Sequence, residues 1–364
     1  MSVYLSMTND ECRMTKGFVR LNACVTSSFG FPSTFVIRAS SLRRVKLIEV
    51  PAVDFDLAIT LNSGQVFHWE KVGDGFCGTI GDRAASVEQC GNVLQIKMEG
   101  GALRRHGENQ ILQKAPRPTT AATAGSPAAA GKLKLAPPSA AKVVRDYFAL
   151  DHPLEEICAS FPRDRVMNAA RDFCRGLRII RQPKWECLAT FICSSMKQVT
   201  HIRQIVRASR QRFGEKKEIC GHEVFSFPVP GRLARTSESE LRKCGLGYRA
   251  KNLLATAKRV ASGEADLDSW SMLSDGKLRK RLCELPGVGA KIANCVMLFA
   301  YERIAAFPID VWIERVLREK YFARRRNVTP QVMAEFAANY FGAYGGYAQQ
   351  YLFHHARMTG KRKS

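Results

Sequence analysis

The apolar residues of this chain change period once, and that change limits the folds open to it. Over residues 47–111 they fall in short alternating runs broken by glycines, whereas from residue 143 onward they recur at helical spacing. Alternation sends successive side chains to opposite faces of a strand, while recurrence at i, i+3 and i+4 gathers them on one face of a helix. Runs at 55–59, 66–69, 76–80 and 93–98 read as strands, with turns at 62–64, 73–75 and 91–92. Helices are expected over 154–159, 165–176, 185–194, 198–213, 238–244, 250–262, 277–284, 290–301, 311–320, 330–341 and 346–357. The fold class is α+β, a small N-terminal antiparallel β domain followed by a larger all-α domain.

Between the two lies a stretch, 114–141, rich in Ala and Pro and nearly without bulky apolar residues. Such a segment has too little to bury and reads as a solvated linker. The chain therefore divides into an N-terminal extension (1–40), a β domain (41–113), the linker (114–141) and a helical domain (142–364). Residues 12–48 hold no Asp or Glu, a composition that suits a mitochondrial-type transit segment, a loose extension or an over-called start codon.

Charge narrows the partner. A net charge of +23 over 364 residues sets up self-repulsion that a polyanion relieves, nucleic acid first and anionic membrane second. A spanning segment needs roughly 18 consecutive apolar residues, and none exists. The 12 cysteines include no Cys-x-x-Cys pair, and no His stands where it would complete a zinc site with Cys187 and Cys193. Free thiols in a reducing compartment are the simpler reading, and no metal site is expected.

The chemistry concentrates around Leu285-Pro286-Gly287-Val288-Gly289-Ala290-Lys291. One helix ends, a tight turn containing Gly287 and Gly289 follows, and a second helix begins with its free N–H groups outward. Such a hairpin can hold a DNA phosphate on main-chain donors, without sequence preference. Glycines serving only close packing would give the same pattern. Lys291 falls in the first turn of the new helix, where the dipole disfavours a cation and, with partial burial, favours the neutral amine that forms Schiff bases. A surface lysine that tolerates its place is the plain alternative. Nineteen residues later Asp310 stands where an N-cap belongs, and capping alone would account for it. The sharper reading has the cap fix and ionise the carboxylate beside the lysine, to steady a cationic sugar or move protons.

Hairpin, lysine and a Pro-bearing stretch ending in Asp together resemble the helix–hairpin–helix DNA glycosylase superfamily. Within it the chain is most similar to the 8-oxoguanine DNA glycosylases. Supporting stretches are residues 63–69, 191–195, 245–250 and 347–353, in that order. The resemblance implies a TATA-binding-protein-like β domain and a bifunctional glycosylase/AP lyase acting in base excision repair. It implies Lys291 as the nucleophile on the sugar C1′ and Asp310 as its electrostatic partner. Gly64 would offer its carbonyl to the N7 hydrogen of the oxidised base, Gln349 would bond the base's Watson–Crick edge, and Phe353 and Cys295 would sandwich it, with Pro308 in the same pocket. On their own residues Phe353 and Cys295 fit a helical core equally well. Tyr248 and Arg249 would be the wedge and the contact to the orphaned cytosine, and Gly287 and Gly289 the phosphate turn.

Three positions depart from the eukaryotic members. Met196 replaces an asparagine that fills the emptied stack, His201 an arginine on the orphaned cytosine, and Trp312 a histidine. The resemblance thus leaves Arg249 alone to read the opposite base, and weaker cytosine preference is expected. No cofactor is expected beyond a monovalent cation on the hairpin carbonyls. The partner would be damaged duplex DNA, bound by a monomer in the bacterial cytoplasm or nucleoid, or in a nucleus. An endonuclease III-like enzyme for oxidised pyrimidines is the nearest alternative, and it lacks a β domain and usually carries an iron cluster after the Asp. A catalytically silent DNA-binding module is the other, and an activity assay separates it.

Overall fold

The computed structural model describes residues 46–99, 138–194, 198–325 and 327–360, and these belong to one compact unit. The N-terminal extension, most of the proposed linker and Met196 lie outside the described residues.

The β region holds β1 (Leu47–Pro51), a short helix α1 (Leu57–Asn62), β2 (Glu70–Val72), β3 (Gly75–Ile80), β4 (Arg83–Cys90) and β5 (Val93–Glu99). The strands make one antiparallel sheet in the order β1-β5-β4-β3-β2. Its register aligns Phe76 with Val87, Val87 with Ile96 and Ile96 with Ile48, an apolar row running across four strands. That face is covered by α2 (Ala140–Tyr147): Val144, Tyr147 and Phe148 join Val50, Phe76, Val87, Leu94 and Ile96 in one buried cluster. Trp69 sits in it as well and donates from Nε1 to the Tyr147 hydroxyl at 3.0 Å.

Two of the expected strands are not strands. Residues 55–59 contain the start of α1, because the Asp56 carboxylate caps the Ile59 N–H at 2.7 Å. The buried residues are then Leu57, Thr60 and Leu61, a helical spacing that the alternation of Phe55, Leu57 and Ile59 had masked. Residues 66–69 are extended but form no ladder. Side chains hold them instead: Gln182 Nε2 donates to the Gln65 carbonyl at 2.8 Å, and His68 Nε2 bonds the Thr79 carbonyl at 2.8 Å.

The helical region runs α3 (Leu154–Ala159), α4 (Arg165–Phe173), α5 (Lys184–Ser194), α6 (Val199–Phe213), α7 (Pro230–Ala234), α8 (Glu238–Leu241) and α9 (Arg249–Ala261). It continues with α10 (Asp275–Cys283), α11 (Ala290–Ala300), α12 (Val311–Val316), α13 (Pro330–Phe341) and α14 (Gly345–Thr359). Expectation and structure agree on these to within a few residues, except that α7 was not expected and that α8 and α12 stop early and continue as single π-type turns, Arg242–Leu246 and Leu317–Tyr321. A hairpin, β6 (Lys216–Ile219) and β7 (His222–Phe225), interrupts the helices and packs Ile219 against Cys77 and Ala84 of the sheet. The main core gathers α5, α11 and α14, nearly all of whose α5 residues are buried.

One buried ionic cluster fastens sheet to helices. Arg210 of α6 bonds the Glu186 carboxylate of α5, the Thr79 hydroxyl of β3 at 2.9 Å and the Phe225 carbonyl of β7 at 2.6 Å. His68 Nδ1 lies 3.3 Å from the same Glu186. Burial, then the neighbouring Arg210 charge, holds the His68 imidazole well below its ordinary pKa, and burial pushes Glu186 upward.

Candidate active site

The hairpin joins α10 to α11. Gly287 adopts a φ of +81°, and a Cβ there would stand 2.8 Å from the Asn252 side chain, so this turn both needs the left-handed region and lacks room for a side chain. Thr256 Oγ1 of α9 donates to the Pro286 carbonyl at 3.0 Å, and Arg259 Nη1 to the Glu284 carbonyl at 2.9 Å, which pins the turn from behind. Gly289 is the N-cap of α11 and carries no capping side chain, so the first N–H groups of the helix are left for a ligand.

Lys291 is the second residue of α11, partly buried, with its amine 5.2 Å from the Phe191 ring centroid. One turn along the helix, Cys295 is 3% exposed and hydrogen-bonds the lysine. Burial pushes the Cys295 thiol up to about 11, against the opposing pull of Lys291, so the sulfur is a neutral wall rather than a nucleophile. Asp310 caps α12 by accepting from the Ile313 N–H at 2.9 Å, which confirms the capping geometry. Burial raises the carboxyl above its ordinary range, and the Ile313 N–H and the Lys291 charge only partly offset this. The cap fixes Asp310, and a carboxyl raised in this way is better suited to take up a proton.

The candidate base-contact residues come from opposite ends of the chain. Gly64 follows α1 with a φ of +88°, and a Cβ there would lie 3.0 Å from Phe353 Cε1 and 3.2 Å from Arg357 Nη1. Phe353 lies on α14, one turn from Gln349. Gln349 is 4% exposed, yet its Oε1 has no partner among the described residues. An orphaned buried carbonyl costs about 1–3 kcal/mol unless a ligand donates to it. Pro308 is buried in the segment leading to Asp310.

The DNA-contact candidates are less uniform. Gly245 and Gly247, with φ of +84° and +59°, end the π turn and leave Tyr248 57% exposed at the start of α9. Arg249, in contrast, is 5% exposed, its guanidinium 4.4 Å from the Tyr248 ring and bonded to the Leu246 carbonyl at 3.3 Å. His201 is exposed on α6. Trp312 packs its ring edge near Gly360 and under Arg315. Phe191 and Arg357 were not expected at the site. Phe191 falls within the stretch that carried the resemblance, and Arg357 follows Phe353 at i+4, so spacing alone was the signal.

Among the described residues the ten cysteines are unpaired, and no helix is long and apolar enough to cross a membrane. Comparison with known proteins gives a consistent result. Residues 47–188 match the family described as 8-oxoguanine DNA glycosylase, N-terminal domain, and residues 190–340 the HhH-GPD superfamily of base excision DNA repair proteins. A probable N-glycosylase/DNA lyase from Methanothermobacter thermautotrophicus is 27% identical over 335 residues, 86% of this chain and 97% of the relative. The structure of MBOgg1 with a low-affinity DNA ligand superposes with a TM-score of 0.72 at 30% identity, covering 86% of this chain and 96% of that one. Clostridium acetobutylicum 8-oxoguanine glycosylase/lyase, in complex with duplex DNA carrying cytosine opposite 8-oxoguanine, gives a TM-score of 0.70 at 26% identity over 86% and 99% of the two chains. With both halves matched and the full length of these relatives covered, the chain belongs to the 8-oxoguanine DNA glycosylases of the HhH-GPD superfamily.

Proposed function

We propose that this protein is a bifunctional glycosylase and AP lyase that excises 8-oxoguanine from duplex DNA during base excision repair. The observation that carries the reading is the seat of Lys291. Its amine lies at the start of a helix behind a phosphate-binding turn, beside Phe191 and Cys295 and within the field of Asp310. A slot walled by Gly64 and Phe353 lies on the α14 face that also carries Gln349. A base must leave the stack before its glycosidic bond can be reached, and stacking plus edge hydrogen bonds must then hold it.

The flipped purine lies between Phe353 and Cys295. Its N7 hydrogen faces the Gly64 carbonyl, and its Watson–Crick edge donates to the orphaned Gln349 Oε1. The Lys291 nitrogen attacks C1′ through its lone pair, and the bond from C1′ to N9 breaks with its electron pair leaving on the base. Asp310 takes a proton from the substituted amine; the nitrogen lone pair then forms the iminium ion as the C1′–O4′ bond breaks, its electron pair leaving on O4′, which gains a proton from solvent. Loss of a C2′ proton then expels the 3′ phosphate by β-elimination. Tyr248 occupies the gap in the stack. The protein works as a monomer, inside the cell wherever its DNA is held.

A monovalent cation at the hairpin is part of this reading. The turn offers carbonyls such as those of Leu285 and Pro286, each taking one hydrogen bond and keeping a second lone pair. Neutral oxygens of that kind suit a weakly hydrated cation bridging to phosphate, and the residues fit the group.

Borohydride trapping on a duplex with 8-oxoguanine opposite cytosine tests the assignment. The wild type is expected to give a covalent adduct that Lys291→Gln abolishes, with binding of the lesion retained. Base release without an adduct would instead indicate attack by water, and neither release nor adduct would leave a silent DNA-binding module. The same assay run opposite all four bases should show only a shallow preference for cytosine, because Arg249 is folded beneath Tyr248 and His201 replaces a second reader.

A further inference from the structure

Helix α14 carries a third residue in line with two already placed at the base. Gln349, Phe353 and Arg357 are spaced i, i+4 and i+8 and share one helix face. The Arg357 guanidinium lies 5.5 Å from the Phe353 ring centroid, and its Nη1 would stand 3.2 Å from a Cβ on Gly64. Its Nη2 donates to the Asn62 carbonyl and to His354 Nδ1, while its Nε is buried with no partner among the described residues. Arg203 of α6 reaches the same asparagine, donating from Nη2 to Asn62 Oδ1 at 2.9 Å, and its Nε is buried and unpartnered too. Two guanidinium groups thus meet on one neutral residue, one at its backbone carbonyl and one at its side chain. Burial, then repulsion from Arg203, lowers Arg357 to about 10, with the Asp310 charge opposing. Neither arginine is ion-paired to a carboxylate in contact among the described residues, whereas Arg210 nearby on α6 is. Half-buried cations held together in this way are costly until an anion arrives.

We propose that Arg357, positioned by Arg203, is a further catalytic residue that touches the flipped purine and holds the negative charge forming on it as the glycosidic bond breaks. This rests on the excision reading above. A leaving purine fits better than a backbone phosphate, because Arg357 stands against Gly64 and Phe353, which wall the base, and not at the hairpin that serves phosphate. The electron pair of the broken bond to N9 spreads over the purine and its oxygens beside the guanidinium. The lone pair of Lys291 fills C1′, and a proton from the new ammonium, relayed by Asp310, neutralises the departed base. Arg357 neither gains nor loses a proton. Its contribution is electrostatic.

Single-turnover kinetics separate the steps. Arg357→Met should slow release of 8-oxoguanine by about a hundredfold, the usual effect of removing one fixed charge-stabilising donor. Arg357→Lys should recover part of that loss. Strand cleavage at a preformed abasic site, where no base remains, should be retained in both. Across purine lesions of graded N9 acidity, the Met variant should depend more steeply on leaving-group acidity than the wild type. A merely structural role would not change that dependence. Equal loss in excision and abasic-site cleavage would place the guanidinium on a phosphate or in the scaffold, and unchanged excision would show it idle; either overturns the proposal. A wild type that fails to excise would overturn the excision reading itself, whereas an active wild type with an indifferent Arg357→Met overturns this inference alone.

Discussion

Gly64 shows how much of the site depends on what one residue lacks. Its φ of +88° lies in the left-handed region, and the space where a Cβ would project is bounded by Phe353 at 3.0 Å and Arg357 at 3.2 Å. Alanine there meets both obstacles, with a backbone cost of about 1–2 kcal/mol. Gly64→Ala is therefore expected to fold with a Tm lower by a few degrees, to lose base excision at least about tenfold, and to keep cleavage of abasic sites. Retained excision at the wild-type rate would show that the slot between Gly64 and Phe353 is not where the base sits. Asp310 poses a separable question, since one oxygen caps α12 while the group as a whole faces Lys291. Asparagine caps a helix as well as aspartate does, whereas alanine costs about 1 kcal/mol. Asp310→Asn should thus preserve thermal stability and still lose excision, and Asp310→Ala should lose both. If Asn retained excision, the carboxyl would be a cap and nothing more.

Elements were legible where the signal was local and opaque where it came from across the fold. Pro330–Phe341 was read with both ends right because Thr329 caps it and Pro330 opens it, and the N-cap place of Asp310 was read from the helix that follows it. β4 was missed because Arg-Ala-Ala-Ser-Val-Glu-Gln-Cys alternates weakly, and its strand character comes from being paired on both sides by β3 and β5. The β6–β7 hairpin turns through Cys220 and Gly221, both at positive φ, and cysteine gives no warning of such a turn. Arg357 was signalled only by its i+4 spacing from Phe353, and its place against Gly64 comes from the packing of α14. The buried Glu186–Arg210 pair was also beyond reach of the sequence, and it joins four elements. Removing one partner leaves an unpaired buried charge, at a cost of about 3–5 kcal/mol. Arg210→Met should accordingly lower stability far more than the exposed Arg318→Met, whose partner Glu314 lies one helical turn away in solvent. Chemical denaturation measures both, and equal losses would show that the cluster does not hold the sheet to the helices.

At the scale of the whole molecule, a strongly basic chain has buried two imidazoles in neutral form, and stability should record it. His354 is 4% exposed and accepts from Arg357 through Nδ1, which requires a free lone pair there. Burial, then the charge of Arg357, lowers His354 to about 4, and burial with Arg210 lowers His68 in the ionic cluster. Because both folded values lie below the unfolded one, the unfolded chain binds more protons as pH falls. The stabilisation is therefore complete above an unfolded histidine pKa of about 6.5 and is lost progressively below it, for His354 as pH approaches its folded value. Glu186 and Asp310, both raised by burial, take up protons on folding and work in the opposite direction nearer the carboxylate range. The histidine effect should consequently dominate between about pH 7 and pH 5, where the Tm is expected to fall by several degrees. His354→Gln keeps an acceptor for Arg357 without a titrating ring, so its Tm should fall less over the same interval, the remainder belonging to His68. Thermal unfolding of the two proteins at both pH values decides it. Parallel declines would mean that His354 is not held neutral in the folded protein.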